Sequence, residues 1–411
     1  MVMKRNKTSV NRRQFLKAAG AAGLGSIIGA NVLAEPNDPN IEQEQTSQPI
    51  ELPKRKLGKT GVEIPCLALG VAFNAMDNQL ILRKAIDWGV TCWDTSSFYE
   101  NGNSELGIGK FLQKNPDARS KLFIVSKASF ARTTEDVENR LQTSLERMKT
   151  DYIDLYYGVH GLNNPAQLNH DMRRWVEKAK ERKLIKYFGF STHSNMPGCL
   201  TAASKLDWID AVMTSFNFRL MQDEKLIDAV QACYDAGVGV IAMKTQAKEV
   251  EMQEADKNLA AHFLERGFTE GQAKIKIVLE DKRIAAACVG RENIQHLRQN
   301  VSAVLDKTEL TQRDKEVFKS YAAATCSGYC AGCAHICEEA VFQAPYISDV
   351  MRSLMYRNSY GEKQLARQTF SEIPAEVRAN LLKVDYSAAE ARCPQHMPIG
   401  QLVTEAVDKL A

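Results

Sequence analysis

Five cysteines near the C-terminus have the spacing of ligands for a metal centre. Four of them lie within twelve residues, at Cys326, Cys330, Cys333 and Cys337. The fifth, Cys393, stands directly before a proline. Closely spaced thiolates on one loop, closed by a distant Cys-Pro pair, are a common way to hold an iron–sulfur cluster. The other five cysteines are scattered singly, so the sequence predicts metal chemistry in this region.

The spacing also indicates which cysteines bind. A two-cluster ferredoxin has two such runs, and the last cysteine of each run ligates the cluster of the other run. The positions that a second cluster would need are occupied by residues that cannot bind iron: Val341, Lys383, Tyr386 and Ala389. The sequence therefore predicts one [4Fe–4S] cluster, with Cys326 either spare or in place of Cys337. The four predicted ligands are Cys330, Cys333, Cys337 and Cys393.

Two other uses of the same thiols stay open. Four thiolates also suit a tetrahedral zinc site. Disulfide bonds are the third interpretation, because the chain carries the features of an exported protein and disulfides persist in oxidising compartments. The Cys-Pro closure favours the cluster, which would serve as a redox or structural cofactor.

The N-terminus indicates export. Arg12 and Arg13 form a twin-arginine pair, and a weakly hydrophobic stretch rich in alanine and glycine follows up to Leu33. We interpret residues 1–34 as a twin-arginine signal peptide, removed after delivery to the periplasm, and residues 35–53 as a flexible linker. The apolar stretch is too short and too rich in glycine for a stable membrane span. The alternative is a basic, disordered N-terminus on a cytosolic protein.

The same segment accounts for the basic character of the chain. Residues 1–34 hold six basic residues and no acidic one, so their removal changes the formal net charge from +3 to −3. No run of lysine and arginine with interleaved aromatic residues occurs elsewhere. We therefore expect no nucleic-acid-binding function.

Short apolar runs alternate with longer amphipathic stretches from about residue 54 onward. The strand-like runs are Ile64–Val71, Thr91–Asp94, Leu122–Ser126, Ile153–Val159, Tyr187–Phe190, Ala211–Ser215, Gly239–Met243 and Ala285–Val289. Eight strand–helix units in about 250 residues predict a (β/α)8 TIM barrel over residues 54–307. A small, mostly α-helical iron–sulfur segment would follow over residues 308–411. A doubly wound sheet is the alternative, but no glycine-rich dinucleotide fingerprint follows an early strand.

A barrel of this kind places its chemistry at the carboxyl ends of its strands. The polar residues that follow three successive predicted strands are Asp94, Tyr99, Lys127 and His160. A tyrosine beside an ammonium group becomes a usable proton donor, because the positive charge lowers the pKa of the phenol. Asp94 would keep Lys127 charged and oriented, and His160 would orient a substrate carbonyl or relay a proton.

These residues belong to longer segments that resemble the aldo-keto reductases, over about residues 54–305. The matching segments are Gly89–Thr95 with Tyr99, Asn103–Lys110, Lys127, Asp151–Leu155, Gly189–Ser191 and Gly237–Lys244. The resemblance implies a (β/α)8 barrel that reduces aldehydes and ketones with NADPH, with the four residues named above as a catalytic tetrad. The cysteine-containing tail is similar to that of exported bacterial members with an appended ferredoxin-like segment.

The resemblance also implies a nucleotide site. The residues at the corresponding positions are Ser191, Asn217, Met243, Lys244, Gly290, Arg291 and Asn300. Ser191 and Asn217 match positions that contact the nicotinamide amide, and the segment after the last strand matches one that binds phosphate and adenine. Arg291 would pair with a 2′-phosphate, or else it is a solvated charge at the start of a helix.

Three departures from the family pattern affect this site. His160 lies six residues after Asp154, where the family usually has five, so either a bulge at Gly158 absorbs the extra residue or the histidine is out of register. A methionine, Met213, replaces a glutamine that often precedes the asparagine. Met243 replaces the aromatic residue that stacks on the nicotinamide, and it would cover the ring less firmly.

Two functions of different classes follow. The first is an NADP(H)-dependent oxidoreductase that reduces a small aldehyde or ketone, or oxidises the alcohol. The second is a catalytically weak or inactive barrel whose cluster serves electron transfer to a redox partner protein or partner docking. The first function is favoured because Asp94, Tyr99 and Lys127 are all present. The second is favoured by the displaced His160 and the missing aromatic residue.

Overall fold

An antiparallel hairpin opens the part of the chain that the structure describes. The structure is a computed structural model, which describes residues 50–247, 253–290 and 293–411. In the hairpin, strand β1 (Lys54–Lys56) pairs with strand β2 (Glu63–Pro65). The predicted signal peptide, most of the predicted linker and Arg291 lie outside the described residues.

Eight parallel strands then close into a barrel. Their order around the barrel is β10-β3-β4-β5-β6-β7-β8-β9. Their bounds are β3 (Leu67–Gly70), β4 (Cys92–Asp94), β5 (Phe123–Lys127), β6 (Ile153–His160), β7 (Ile185–Thr192), β8 (Ala211–Ser215), β9 (Gly239–Met243) and β10 (Ile284–Val289). The predicted barrel is confirmed, and each of the eight predicted runs overlaps a barrel strand.

The first predicted run differs from the structure in one respect. Residues 64–71 were expected to form one strand, but they form the end of β2 and the whole of β3, with Cys66 between them. The physical reason is that the two parts pair differently: β2 lies antiparallel to β1, and β3 lies parallel to β4 and β10. The apolar pattern does not distinguish these two environments, because both are buried.

Helices surround the barrel, and two of them show the apolar spacing and the capping residues expected of helices. Their bounds are α1 (Gln79–Asp87), α2 (Asn103–Lys114), α3 (Thr134–Met148), α4 (His170–Glu181), α5 (Met196–Ala203), α6 (Glu224–Asp235), α7 (Gln253–Glu265), α8 (Glu270–Glu280) and α9 (Ile294–Leu305). In α3, Val137, Leu141, Leu145 and Met148 recur at helical spacing, and all four are buried. Thr269 and Gln272 form a capping box at the start of α8, with both reciprocal hydrogen bonds present.

The interior of the barrel is filled with apolar side chains and is not a pore. Leu57 and Ile64 of the N-terminal hairpin belong to the interior cluster and are almost completely buried. The hairpin therefore fills the amino-terminal end of the barrel, and the opposite end is left for chemistry.

The C-terminal segment is helical. Its helices are α10 (Gln312–Ala324), α11 (Ala334–Cys337), α12 (Ile347–Asn358), α13 (Lys363–Ser371), α14 (Ala375–Arg378), α15 (Ser387–Arg392) and α16 (Ile399–Leu410). Helix α10 packs into the core of the barrel through Phe318 and Tyr321. A second apolar cluster begins at Cys337 and extends to Leu410. Both clusters lie within one compact unit, so the segment packs against the barrel rather than standing apart from it.

This segment covers the carboxyl-terminal mouth of the barrel. The backbone N–H of Asn195, after β7, donates to the carbonyl oxygen of Gly332 at 3.1 Å. A Cβ atom at Gly332 would lie 2.2 Å from the carbonyl oxygen of His193. The cysteine loop, which carries Cys330 and Cys333, therefore approaches the barrel at a point where only glycine fits. Further contacts join Ser194 to Ser348, Asn101 to Gln364 and Arg132 to Glu372. No described helix has the length and apolar character that crossing a membrane requires.

Candidate active site

A buried ion pair lies at the bottom of the mouth. Lys127 ends β5 and Asp94 ends β4, and both side chains are at most 5% exposed. The Nζ atom of Lys127 lies 2.5 Å from Oδ1 of Asp94 and donates to the carbonyl oxygen of Thr95 at 2.7 Å. Burial raises the pKa of Asp94, and the charge and hydrogen bond of Lys127 oppose that rise. The lysine is thus held in one place, as the strand-end argument predicts.

Tyr99 lies directly above this lysine. It begins a short helical turn after β4 and is half-buried. The Nζ atom of Lys127 is 4.9 Å from the centre of the Tyr99 ring, and the ring of His160 faces it edge-on at a centroid distance of 6.1 Å. The structure therefore brings together all four predicted catalytic residues.

The pKa of Tyr99 moves in the direction opposite to the sequence prediction. Burial raises this pKa well above its ordinary value, and the negative charge of Asp94 raises it further. The ammonium group of Lys127 by itself would lower this pKa, but Asp94 compensates that charge and the phenolate loses its solvation. Tyr99 consequently stays protonated at neutral pH, which suits a proton donor.

A bulge places His160 in the mouth. Along the pairing of β6 with β7, Tyr157 lies opposite Gly189 and Val159 lies opposite Phe190, so Gly158 is the unpaired extra residue. This confirms the bulge and excludes the alternative of an out-of-register histidine. A β-bulge re-aims the side chains that follow it. The extra residue before His160 therefore does not move the histidine away from Tyr99.

Gly158 is required because of its neighbour. A Cβ atom at this position would lie 2.5 Å from Cε2 of Phe188. The Phe188 ring is fully buried between Trp175 and Trp208, with centroid distances of 6.0 and 5.7 Å. The ring therefore has little room to move away.

Gly158→Ala should reduce both stability and activity. We expect the free energy of unfolding to fall by about 1–3 kcal/mol, because the added methyl group overpacks the bulge. The value of kcat/KM should fall more than stability alone explains, because His160 follows the bulge. Urea denaturation and steady-state kinetics would measure the two effects. Gly271→Ala in α8, whose nearest contact is the end of the Gln246 side chain at 3.3 Å, is the matched control. Equal behaviour of the two variants would contradict the bulge argument.

His160 is neutral in this environment. Burial lowers its pKa well below the ordinary value, and the charges of Lys127, Arg352 and Lys244 lower it further. Its Nδ1 atom shares a hydrogen bond with the hydroxyl of Ser129 at 2.7 Å, and that hydroxyl also contacts Ser96. The imidazole is thus oriented by a serine pair and can form a hydrogen bond to a substrate oxygen through its other nitrogen.

The residues predicted for the nucleotide lie around the same mouth. Ser191 in β7 is buried and its hydroxyl accepts a hydrogen bond from the backbone of Gly161 at 3.1 Å. Met243 ends β9 and is partly buried, and Lys244 follows it with a φ of 55°. Gly290 is exposed beyond β10, and Asn300 is buried in α9. Because Arg291 lies outside the described residues, its role stays a prediction.

Asn217 has its hydrogen bonds filled by the protein. Its amide nitrogen donates to the carbonyl oxygen of Lys244 at 3.1 Å and to the hydroxyl of Tyr329 at 2.9 Å. Its amide oxygen accepts from the backbone of Arg219 and Leu220. These contacts leave no donor for a nicotinamide amide unless Tyr329 of the C-terminal segment moves.

Two further residues of the mouth were missed at the level of sequence. His193 directly follows β7, and burial lowers its pKa well below the ordinary value. The strand-end rule that found His160 could have found it. Arg352 lies on α12, and its side chain packs against Gly161. A Cβ atom added at Gly161 would be 3.0 Å from a terminal nitrogen of the Arg352 side chain. No pattern in the barrel sequence indicates Arg352, because it comes from the segment that covers the mouth.

The predicted cluster ligands lie near one another in the C-terminal segment. Burial raises the pKa of Cys330, and the nearby thiols of Cys333, Cys337 and Cys393 raise it further. Burial is also the main cause that raises the pKa of Cys333 to about 11 and of Cys337 to about 12. The contact of α11 with α15 carries Cys393 towards the cysteine loop.

The thiols do not form a preformed metal site. Within the described residues, no group of three or more histidine, cysteine, aspartate and glutamate side chains is arranged to hold a metal ion. All ten cysteines are free, so the structure contains no disulfide bond between them. The donor set nevertheless consists of sulfur atoms close enough to affect one another's pKa, which is the ligand chemistry that an iron–sulfur cluster or zinc requires.

Comparisons with known proteins show that the chain is similar to oxidoreductases. An uncharacterized oxidoreductase of Bacillus subtilis is 23% identical over 306 residues, which cover 65% of this chain and 96% of the relative. The aldo-keto reductase yakc [NADP(+)] of Schizosaccharomyces pombe is 27% identical over 210 residues, which cover 47% of this chain and 60% of the relative.

A solved structure is also similar to this chain. A thermostable aldo-keto reductase in complex with the inhibitor epalrestat superposes with a TM-score of 0.55 and 25% identity, covering 66% of this chain and 100% of the other. The model of the aldo/keto reductase family matches residues 68–320, which is more than half of the chain and ends before the first cysteine of the C-terminal group. The chain therefore belongs to the aldo/keto reductase family.

Proposed function

We propose that the protein is an NADP(H)-dependent oxidoreductase that reduces a small aldehyde or ketone, with Tyr99 as the general acid. The observation that carries this proposal is the buried pair of Asp94 and Lys127 beneath Tyr99, with the neutral His160 facing it. Its support in the comparisons is membership of an oxidoreductase family and similarity to a relative whose name includes NADP(+).

Each residue has a separate task in this proposal. A bound nicotinamide supplies the hydride. The Tyr99 hydroxyl donates a proton to the carbonyl oxygen of the substrate as that oxygen gains charge. Lys127 stabilises the developing negative charge on Tyr99, and Asp94 holds Lys127 in position. His160 donates a hydrogen bond that orients the carbonyl.

The nucleotide would be held by the predicted residues around the mouth. Ser191 and Asn217 would contact the nicotinamide amide, Met243 would cover the ring face, and Lys244 would lie beside it. Gly290, Arg291 and Asn300 would contact the phosphate and adenine. The filled hydrogen bonds of Asn217 favour the second candidate, a weak or inactive barrel whose cluster serves electron transfer or partner docking.

Nucleotide binding and turnover distinguish these candidates. We expect the mature protein to bind NADPH and to oxidise it in the presence of members of an aldehyde and ketone panel, measured by titration and by absorbance. Protein purified from the periplasm should retain nucleotide, because an exported protein finds no free NADPH pool. If no nucleotide binds and no carbonyl compound is reduced, the second candidate is the better account.

We also propose that the protein binds one [4Fe–4S] cluster through Cys330, Cys333, Cys337 and Cys393. The support is the Cys-Pro closure of the motif and the mutual effect of these thiols on their pKa values. Cluster insertion would require the side chains to move, because no three or more of the described ligand side chains are arranged to hold a metal ion. A small redox protein is the partner that such a cluster would serve.

Export through the twin-arginine pathway is a further proposal, which rests on the sequence alone. Replacing Arg12 and Arg13 together by lysine should leave uncleaved precursor in the cytoplasm, because this pathway recognises the arginine pair. Cell fractionation and blotting would measure the distribution, with Lys4→Arg and Lys7→Arg as control changes outside the pair. Unchanged delivery of the double variant to the periplasm would contradict the assignment.

A further inference from the structure

A cavity of about 290 Å³ lies between the mouth of the barrel and the C-terminal segment. The barrel contributes His193, Ser215 and Lys244, which lie at or beyond the carboxyl ends of β7, β8 and β9. The C-terminal segment contributes residues 327–332 and one face of α12. Neither part encloses the space alone, so the cavity exists because the segment covers the mouth.

Lys244 lies in this cavity without a counter-ion. Its Nζ atom is 3.5 Å from the sulfur of Met355 and 4.9 Å from the centre of the Tyr356 ring. Within the described part of the chain, no carboxylate lies within ion-pair distance of it. Its φ of 55° is in the left-handed region that long side chains rarely adopt, so the backbone accepts strain to place this residue. Lys244 is partly buried, and burial together with the charge of Arg352 lowers its pKa well below the ordinary value. A bound anion would stabilise the charged form of the lysine.

Arg352 is the second cation of the cavity. Its side chain is 17% exposed and pairs with Asp349 through one terminal nitrogen at 3.0 Å. Its Nε atom is buried and has no hydrogen-bond partner among the described residues. Its other terminal nitrogen lies against Gly161, the residue that directly follows His160. The guanidinium group therefore lies between the cavity and the catalytic tetrad.

The remaining wall suits an organic molecule rather than a bare ion. Met351, Leu354, Met397 and Leu402 form an apolar side. One acidic residue, Glu405, also lines the cavity, but its carboxylate is paired with Lys409 at 2.6 Å and accepts from Asn358 at 2.8 Å. That pairing keeps Glu405 from neutralising Lys244, and the only carboxylate paired with Arg352 among the described residues is Asp349.

We propose that this cavity binds the carboxylate group of a small organic acid between Lys244 and Arg352, so that the substrate is an oxo acid or a carboxylated aldehyde. The proposal rests on the proposed carbonyl reduction and names its substrate class. A planar guanidinium binds a carboxylate through two parallel hydrogen bonds, and an ammonium group adds a point charge. Because Arg352 adjoins Gly161, which directly follows His160, a carboxylate bound to Arg352 would place the rest of the molecule on the side of the catalytic tetrad.

A matched pair of aldehydes tests the proposal. We expect the full mature protein to reduce 4-carboxybenzaldehyde with a kcat/KM at least about tenfold above that for 4-carbamoylbenzaldehyde, which has the same shape without the charge. Lys244→Met and Arg352→Gln should each remove this preference, because each should raise KM for the acid more than KM for the amide. Lys244→Arg, which keeps the charge, should retain most of it.

The control for charge is Lys315→Met. Lys315 lies on α10, is 43% exposed and pairs with Glu280, so it makes the same change of charge away from the cavity. This variant should keep the preference of the unmodified protein. Equal reduction of acid and amide by the unmodified protein, or equal behaviour of Lys244→Met and Lys315→Met, would overturn the proposal.

A binding measurement separates this proposal from the catalytic one. Calorimetry should detect benzoate but not benzamide, and Lys244→Met or Arg352→Gln should weaken benzoate binding at least about tenfold. If benzoate binds in this way and no aldehyde is reduced, the carboxylate site stands and the reductase proposal fails. If benzoate does not bind and Lys244→Met instead weakens NADPH binding tenfold, the cations serve nucleotide phosphates and the carboxylate site is refuted.

Discussion

Tyr99→Phe should lower the turnover number for carbonyl reduction by roughly 100-fold or more. The substitution removes one hydroxyl group and keeps the ring, so the packing against His160 and over Lys127 is preserved. Without the hydroxyl, the carbonyl oxygen would have to take its proton from water or from a group that the structure does not place there.

The loss should fall on chemistry and not on nucleotide binding. We expect the dissociation constant for NADPH to stay within about twofold of the unmodified protein, because no hydrogen bond to the nucleotide is assigned to Tyr99. Single-turnover kinetics and fluorescence titration would measure the two quantities. Retention of normal turnover by Tyr99→Phe would refute the role of general acid.

The pH profile offers a second check. Because burial and Asp94 raise the pKa of Tyr99, the hydroxyl stays protonated through the neutral range. Carbonyl reduction should therefore not lose activity between about pH 6 and pH 9 through ionisation of Tyr99.

His160→Ala should act differently from Tyr99→Phe: we expect mainly a higher KM, since the neutral imidazole orients the substrate.

Cys393→Ser should abolish the cluster, and Cys326→Ser should leave it intact. Cys393 is 8% exposed and belongs to the second apolar cluster, together with Cys337. Its thiol acts on the pKa of Cys330, Cys333 and Cys337, so removing it takes away the ligand that closes the proposed cage. Serine replaces the sulfur with a similar volume, so the packing of this cluster should change little.

Metal and sulfide analysis would measure this result. The unmodified protein and Cys326→Ser should each contain about four iron and four sulfide per chain, with the visible absorbance of a [4Fe–4S] cluster. Cys393→Ser should contain neither. One zinc per chain without sulfide would support a zinc site instead of the cluster. Loss of the cluster in Cys326→Ser would show that Cys326 takes the place of Cys337.

The barrel could be predicted because its signals are local. Each strand is a short apolar run, and the helices have apolar residues at helical spacing. The capping box of Thr269 and Gln272 marks the start of one helix. The convergence of Asp94, Lys127 and His160 also follows without coordinates, because parallel strands of a closed barrel all end at the same face. The fold class and the convergence of these side chains at the mouth can therefore be predicted from the sequence.

Three features of the site depend on residues far apart in the chain and could not be predicted from the sequence. The bulge at Gly158 is seen in the pairing of β6 with β7, and Phe188 leaves no room for a side chain there. The pKa of Tyr99 is raised mainly by burial that no local pattern encodes. The position of Arg352 beside Gly161 arises from a segment almost two hundred residues later that folds back over the mouth. Periodicity describes which face of an element is apolar, but it does not say which distant element will cover that face, because this is decided by packing between elements.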